Sequence, residues 1–189
     1  MIKEYSYPLA EEVNPILKSL ILTYNDKSLG KPTEATCLMT EWNLHQRSQE
    51  ALDLIRWVGK RIDEDFVGRE TKKFAEMWGV HYINDGEEID WHNHFPDQLR
   101  LMNSNSRDTP TPMVGNYSFA YYVTVPDGSA PLLFREPNLK FEPKQGNVVI
   151  FNSDLDHKVP PNYSKGRIAI SGNIFLTEQP SIISSHDIN

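Results

Sequence analysis

From about Thr71 to Leu176 the chain is a succession of short runs rich in aromatic and β-branched residues. The runs are "FAEMWGVHYI", "YSFAYYVTV", "PLLF", "NVVIF" and "RIAISGNIFL"; between them stand "NDGE", "PDGS", "PKQGN" and "YSKGR". Aromatic and β-branched side chains pack well on a pleated surface, and Gly, Asn, Asp and Pro serve where the backbone must reverse. Short strands at fairly regular spacing predict an antiparallel barrel or sandwich.

The first third has a different period. "EEVNPILKSLILTY" sets Val13, Ile16, Leu17, Leu20, Ile21 and Tyr24 at helical spacing, and Pro15 fits if that helix starts near Asn14. "SQEALDLIRWVGKRIDEDF" places Ala51, Leu54, Ile55, Val58, Ile62 and Phe66 on one face, and Gly68 is a plausible stop. The stretch from Phe95 to Asn116 is too polar for a strand and long for a plain connection, so a binding loop or lid is expected there. Helices first and strands after give an α+β order, mainly β, within one domain: 1–70 mainly helical support, 71–178 a β core, 179–189 a tail. A chain of 189 residues suits a single well-buried domain.

Charge narrows the partners. A net charge of −7 argues against a nucleic-acid binder, since phosphate neutralisation needs surplus Lys and Arg. Cys37 is the single cysteine, no apolar run approaches a membrane span, and "MIKEYSYPLAEE" lacks the basic start and apolar core of a signal peptide. A soluble, cytoplasmic protein is expected.

Chemistry concentrates in "DWHNHFPD", residues 90–97. On a strand, His92 and His94 would share a face about 6.5–7 Å apart, within reach of one ion. Such a pair is a weak signal alone. It gains weight from His157, which follows the strand and turn "GNVVIFNSDLD", and from Arg167, ten residues later at the start of the last strong strand. An arginine fork matches a carboxylate with two hydrogen bonds, so Arg167 is a candidate anchor for a carboxylate ligand. His81 reads as packing or surface, and His45 and His186 receive no role.

Taken in order, Tyr82, His92-x-His94, "YSFAYYVTVPDG", "PLLFREP", "GNVVIFNSDLDH" and Arg167 resemble the non-haem iron, 2-oxoglutarate-dependent oxygenases. The likeness is to the prolyl-4-hydroxylase-like branch and to small bacterial and phage oxygenases, and it covers roughly Phe74 to Leu176. It implies a double-stranded β-helix, a cupin-like jelly-roll barrel with helices packed on one side. It also implies Fe(II) as cofactor, with 2-oxoglutarate and O2 as cosubstrates. His92 resembles the first iron ligand and His157 the distal one. Arg167 resembles the residue that pairs with the far carboxylate of 2-oxoglutarate, with Tyr122 and Tyr82 beside the same cosubstrate. Tyr121 should face the opposite way, into packing.

The departure is the third ligand, because the family pattern is His-x-Asp or His-x-Glu and here His94 stands in that place. Four readings stay open: His94 ligates; Asp97 swings in from the next loop; Asp90 does so from the strand; or two histidines leave an open position. Neutral imidazole in place of carboxylate would shift the preference towards zinc or copper. The activity implied is hydroxylation of a polar, peptidyl or amino-acid-like substrate with release of succinate and CO2, in the cytoplasm or, for a phage protein, the host cytoplasm. The rivals are a three-histidine cupin-like metalloenzyme without 2-oxoglutarate and a non-catalytic barrel with a degenerate site.

Overall fold

The computed structural model describes residues 1–24, 35–94 and 113–177. In chain order the elements are β1 (Ile2–Ser6), α1 (Ala10–Tyr24), β2 (Leu38–Met39), a 3-10 turn (Leu44–Gln46) and α2 (Gln49–Ile62). A π-helical turn (Asp63–Val67) follows, then β3 (Lys72–Tyr82), β4 (Glu87–His92) and β5 (Met113–Thr124). The chain continues as β6 (Leu132–Phe134), β7 (Leu139–Phe141), β8 (Asn147–Asn152), β9 (His157–Asn162) and β10 (Arg167–Thr177). The strands form two antiparallel sheets, ordered β1-β8-β5-β10-β3-β2 and β4-β9-β6-β7. This is the double-stranded β-helix, with the helices on the outer face of the larger sheet.

Period-two alternation sorts the long strands' side chains into two cores. Ala75 and Met77 of β3, Tyr121 and Val123 of β5, Val148 and Ile150 of β8, and Ile168, Ile170 and Ile174 of β10 join the helices in one cluster. The residues between them, among them Trp78, Val80, Tyr82, Tyr122, Val149, Phe151 and Ala169, face the small sheet in a second cluster. A strand buried on both faces has no polar row, which explains the nearly continuous apolar run "NVVIF". The central strand β10 leaves no spare room. At Gly172 an added Cβ would stand 2.5 Å from the Glu76 carbonyl oxygen and 2.5 Å from a ring carbon of Phe119.

The helical face of α2 is as expected, with Ala51, Leu54, Ile55, Val58 and Ile62 fully covered. Ser48 caps its start by accepting a hydrogen bond from Ala51 N at 3.2 Å. After the π turn, Gly68 ends the segment with a left-handed φ of 78°. Helix α1 begins at Ala10, ahead of the expected start near Asn14, which puts Pro15 inside it. Asn14 is buried there and accepts from the Tyr121 hydroxyl at 2.6 Å.

Two strands lie in the part expected to be mainly helical. β1 pairs with β8 along its whole length, and β2 pairs with β3 at Leu38 and Met39. Both are edge strands of the large sheet, where one paired side suffices; β1 is short and half polar, and β2 is two residues long. The expected loop or lid from Phe95 to Asn116 lies outside the described residues up to 112, whereas 113–116 belong to β5. No helix among the described residues is long and apolar enough to cross a membrane.

Candidate metal centre

His92 and His157 are brought together by sheet pairing. β4 and β9 run antiparallel with His92 directly opposite His157, and their ring centroids lie 4.2 Å apart. His94 arrives by another route than the expected shared strand face. β4 ends at His92, and the His94 amide N–H donates to the Ser153 carbonyl at 2.8 Å, so the chain crosses towards the large sheet. The His94 ring still closes the group, 5.1 Å from each of the other two rings. One ring nitrogen from each histidine lies within 4.8 Å of the others, a group able to hold a metal ion.

Each ring is oriented by an oxygen on its Nδ1. His92 Nδ1 lies 2.8 Å from the Asp90 carbonyl, His157 Nδ1 2.8 Å from the Leu155 carbonyl, and His94 Nδ1 2.6 Å from Asn173 Oδ1. These oxygens only accept, so Nδ1 carries the proton and Nε2 keeps its lone pair for an ion. The donor set fits a divalent first-row metal, as imidazole suits iron, zinc, copper and nickel alike. Of the other candidates, Asp90 is exposed and its carboxylate accepts from the Trp91 amide at 2.7 Å, apart from the histidine group. Asp97 lies outside the described residues.

The three rings line a cavity of about 200 Å³ whose lining also includes Tyr82, Tyr122 and Arg167. Arg167 opens β10 opposite Tyr82 and is 2% exposed. Its guanidinium lies 4.7 Å from the Tyr82 ring centroid and 5.9 Å from that of Tyr122. Among the described residues its Nε and Nη1 make no hydrogen bond, and neither does the Tyr122 hydroxyl. Burial pushes the Tyr122 phenol up to about 12 against the opposing pull of Arg167, and it raises Tyr82 as well. Both hydroxyls are therefore neutral donors at physiological pH. Tyr121 turns the other way and packs against the helices, as alternation requires.

Aromatic rings surround the histidines. Trp78 stacks on His94 at 5.8 Å, Trp42 stacks on Trp78 at 5.2 Å, and Phe151 meets His157 edge-on at 4.7 Å. Asn173, Ser118 and Ser153, which sequence reasoning did not single out, form a buried polar group behind His94. The available signal was polar residues in the middle of apolar strands. His45, given no role, is buried beside α2 at 2% exposure, and His81 is half-buried against the helices; His186 lies outside the described residues.

Desolvation lowers the His94 pKa to about 4, with His92 adding to the effect, and holds His157 well below its usual value. Between pH 6.5 and about 4 the unfolded chain therefore binds protons that the folded, metal-free protein does not. This contribution to stability is complete above pH 6.5 and is lost as the pH falls towards 4. The unfolding midpoint of chelator-treated protein should drop between pH 7 and 5, and His94→Gln should flatten that dependence. An equally steep profile in the variant would contradict it.

A double-stranded β-helix carrying three histidines placed to hold a metal ion is the class that fold and site define. No protein-family model and no curated protein sequence matches the chain. Solved structures match it throughout. The viral collagen prolyl hydroxylase of Paramecium bursaria Chlorella virus-1, in a 2-oxoglutarate complex, superposes with a TM-score of 0.61 at 15% identity, covering 92% of this chain and 95% of that one. A Pseudomonas putida prolyl-4-hydroxylase gives 0.62 at 15%, covering 95% and 93%. A Trichoplax adhaerens prolyl hydroxylase, bound to a hypoxia-inducible-factor peptide, gives 0.59 at 13%, covering 94% and 83%. At such identities the likeness establishes the fold.

Proposed function

We propose that the protein is an Fe(II)- and 2-oxoglutarate-dependent dioxygenase that hydroxylates a peptidyl or amino-acid-like substrate. Its metal would be held by His92, His157 and His94. The observation that carries the reading is Arg167: a buried guanidinium with two unpartnered nitrogens, in the same cavity as three convergent imidazoles. Burying a cation without a counter-charge is costly, so a site that retains one is built for an anion. A dicarboxylic oxo acid meets both ends, its oxo-acid end at the histidines and its far carboxylate at Arg167.

Ferrous iron, when bound, supplies the dioxygen chemistry that side chains lack. The chain's own part is orientation and exclusion. Arg167 presents its fork to the far carboxylate, and the neutral Tyr122 and Tyr82 hydroxyls supply further donors. The apolar walls, including Met39, Ile89 and Leu132, keep water from the remaining space. The substrate class rests on the similar structures, two of which are hydroxylases of prolyl polymers or peptides by their names. The lone buried thiol of Cys37 suits a reducing compartment such as the cytoplasm.

Anaerobic titration of metal-free protein with ferrous iron and 2-oxoglutarate tests the reading. The weak visible absorption of a ferrous oxo-acid chelate should appear, and succinate should form slowly once air is admitted. Bound metal with neither signal would overturn the proposal and leave a three-histidine metalloprotein of another kind.

A further inference from the structure

We infer that Asn173 is a positioning residue that makes His94 the third arm of the metal centre, holding its ring as the Nδ1–H tautomer. The inference rests on the three-histidine cluster being a metal site. It concerns which residue completes that site and what aims it.

Asn173 is fully buried in the middle of β10, a costly place for an amide unless both its ends are used. Its Oδ1 is the acceptor for two donors, His94 Nδ1 at 2.6 Å and Ser118 Oγ at 2.9 Å. Ser118 lies in turn 2.7 Å from Ser153 Oγ, and both serines are 1% exposed. Ser153 also takes the His94 amide N–H on its carbonyl, so ring and backbone are anchored to the same small group. Across β3 the register partner of Asn173 is Glu76, a buried side chain. The amide oxygen faces His94 and Ser118, so its N–H end is turned away from the ligand.

The orientation matters because the tautomer decides whether His94 can ligate. With oxygen facing it, Nδ1 must donate and Nε2 keeps a lone pair. With the amide reversed, Nδ1 would accept, Nε2 would carry the proton, and the ring could not bind an ion. Trp78 stacks on the face of the His94 ring and hinders it from tipping. Backbone carbonyls two residues earlier in the chain do the same for His92 and His157, but His94 takes a side chain for the purpose. By alternation Asn173 falls in the same row of β10 as Ala169 and Arg167. One rigid strand thus carries both the cation lining the cavity and the support of the third ligand, about 20 Å apart by strand rise.

The test uses Co(II) and Zn(II) binding to chelator-treated full-length protein at fixed pH, alongside thermal unfolding of the same metal-free samples. Asn173→Leu should weaken metal binding about 10–100-fold, the usual effect of losing a partner behind a ligand. Asn173→Asp, which keeps an acceptor at the same place, should remain within a few-fold of wild type. Adding Asn173→Leu to His94→Ala should cost little beyond His94→Ala alone, because both act through one ligand. Unaltered affinity in Asn173→Leu would overturn the inference, as would unaltered affinity in His94→Ala, which would pass the third position to Asp97 or leave it open. Wild-type protein that binds neither ion would instead remove the metal-site reading itself. A measurement free of mutation guards against a variant that fails to fold. The imidazole 15N shifts of metal-free wild type should show His94 protonated on Nδ1, and the opposite tautomer would overturn the assignment.

Discussion

Truncating Arg167 to alanine should weaken 2-oxoglutarate binding by roughly 30- to 4000-fold while leaving metal affinity nearly unchanged. Removing one partner of a buried, hydrogen-bonded charge pair costs about 2–5 kcal/mol, and each 1.4 kcal/mol is tenfold. Arg167 is 2% exposed, so solvent offers the lost carboxylate contact little replacement. The metal-free, ligand-free protein should respond in the opposite direction. Its Nε and Nη1 are buried without partners, and Arg167→Met would exchange an uncompensated cation for an apolar chain of similar length. The unfolding midpoint should therefore rise in the variant that binds cosubstrate worst. Calorimetric titration with the metal-loaded protein and thermal unfolding without ligands separate the two effects. Undiminished 2-oxoglutarate affinity in Arg167→Ala would favour the cupin-like alternative, in which this arginine is dispensable.

The second large effect is expected at His157. It stands directly opposite His92 on the paired strand and is 6% exposed, so its ring has nowhere else to go. His157→Ala should weaken Co(II) or Zn(II) binding on the order of 100- to 1000-fold, about one ligand's share of a strong structural metal site. The fold should survive, since the ring sits at the start of β9 and lies outside the helix-side cluster. Equilibrium titration against a chelator of known affinity measures the loss. A change of less than about tenfold would place the metal, if one binds, away from this histidine.

These two residues were legible in the sequence because local pattern placed them: each begins a strand, after a turn rich in Gly, Asp, Ser or Asn. The antiparallel strands and the opposite facing of Tyr121 and Tyr122 were legible for the same reason, since alternation is a property of neighbours in the chain. What local pattern could not supply was contact between distant segments. His94 meets Asn173 across 79 positions, and only the chain's crossing from one sheet to the other brings them together. A strand-based reading put His92 and His94 on one face; the structure gathers the two rings by another geometry, because β4 ends between them. β1 was missed since "IKEYS" is short and half polar, as an edge strand can be.

The close fit at Gly172, in the strand that carries Arg167, has a consequence for how this chain can vary in length. Every second residue of β10 belongs to the cavity and the rest belong to the helix side. Deleting one residue at its centre would exchange the two rows on one side of the cut. Isoleucines would enter the cavity there, and the charged or amide side chain would be pressed into hydrocarbon. Insertions and deletions should therefore be absent from this strand in any functioning descendant of the sequence, whereas the exposed turn at Gly128, at positive φ with open space around it, is free to lengthen.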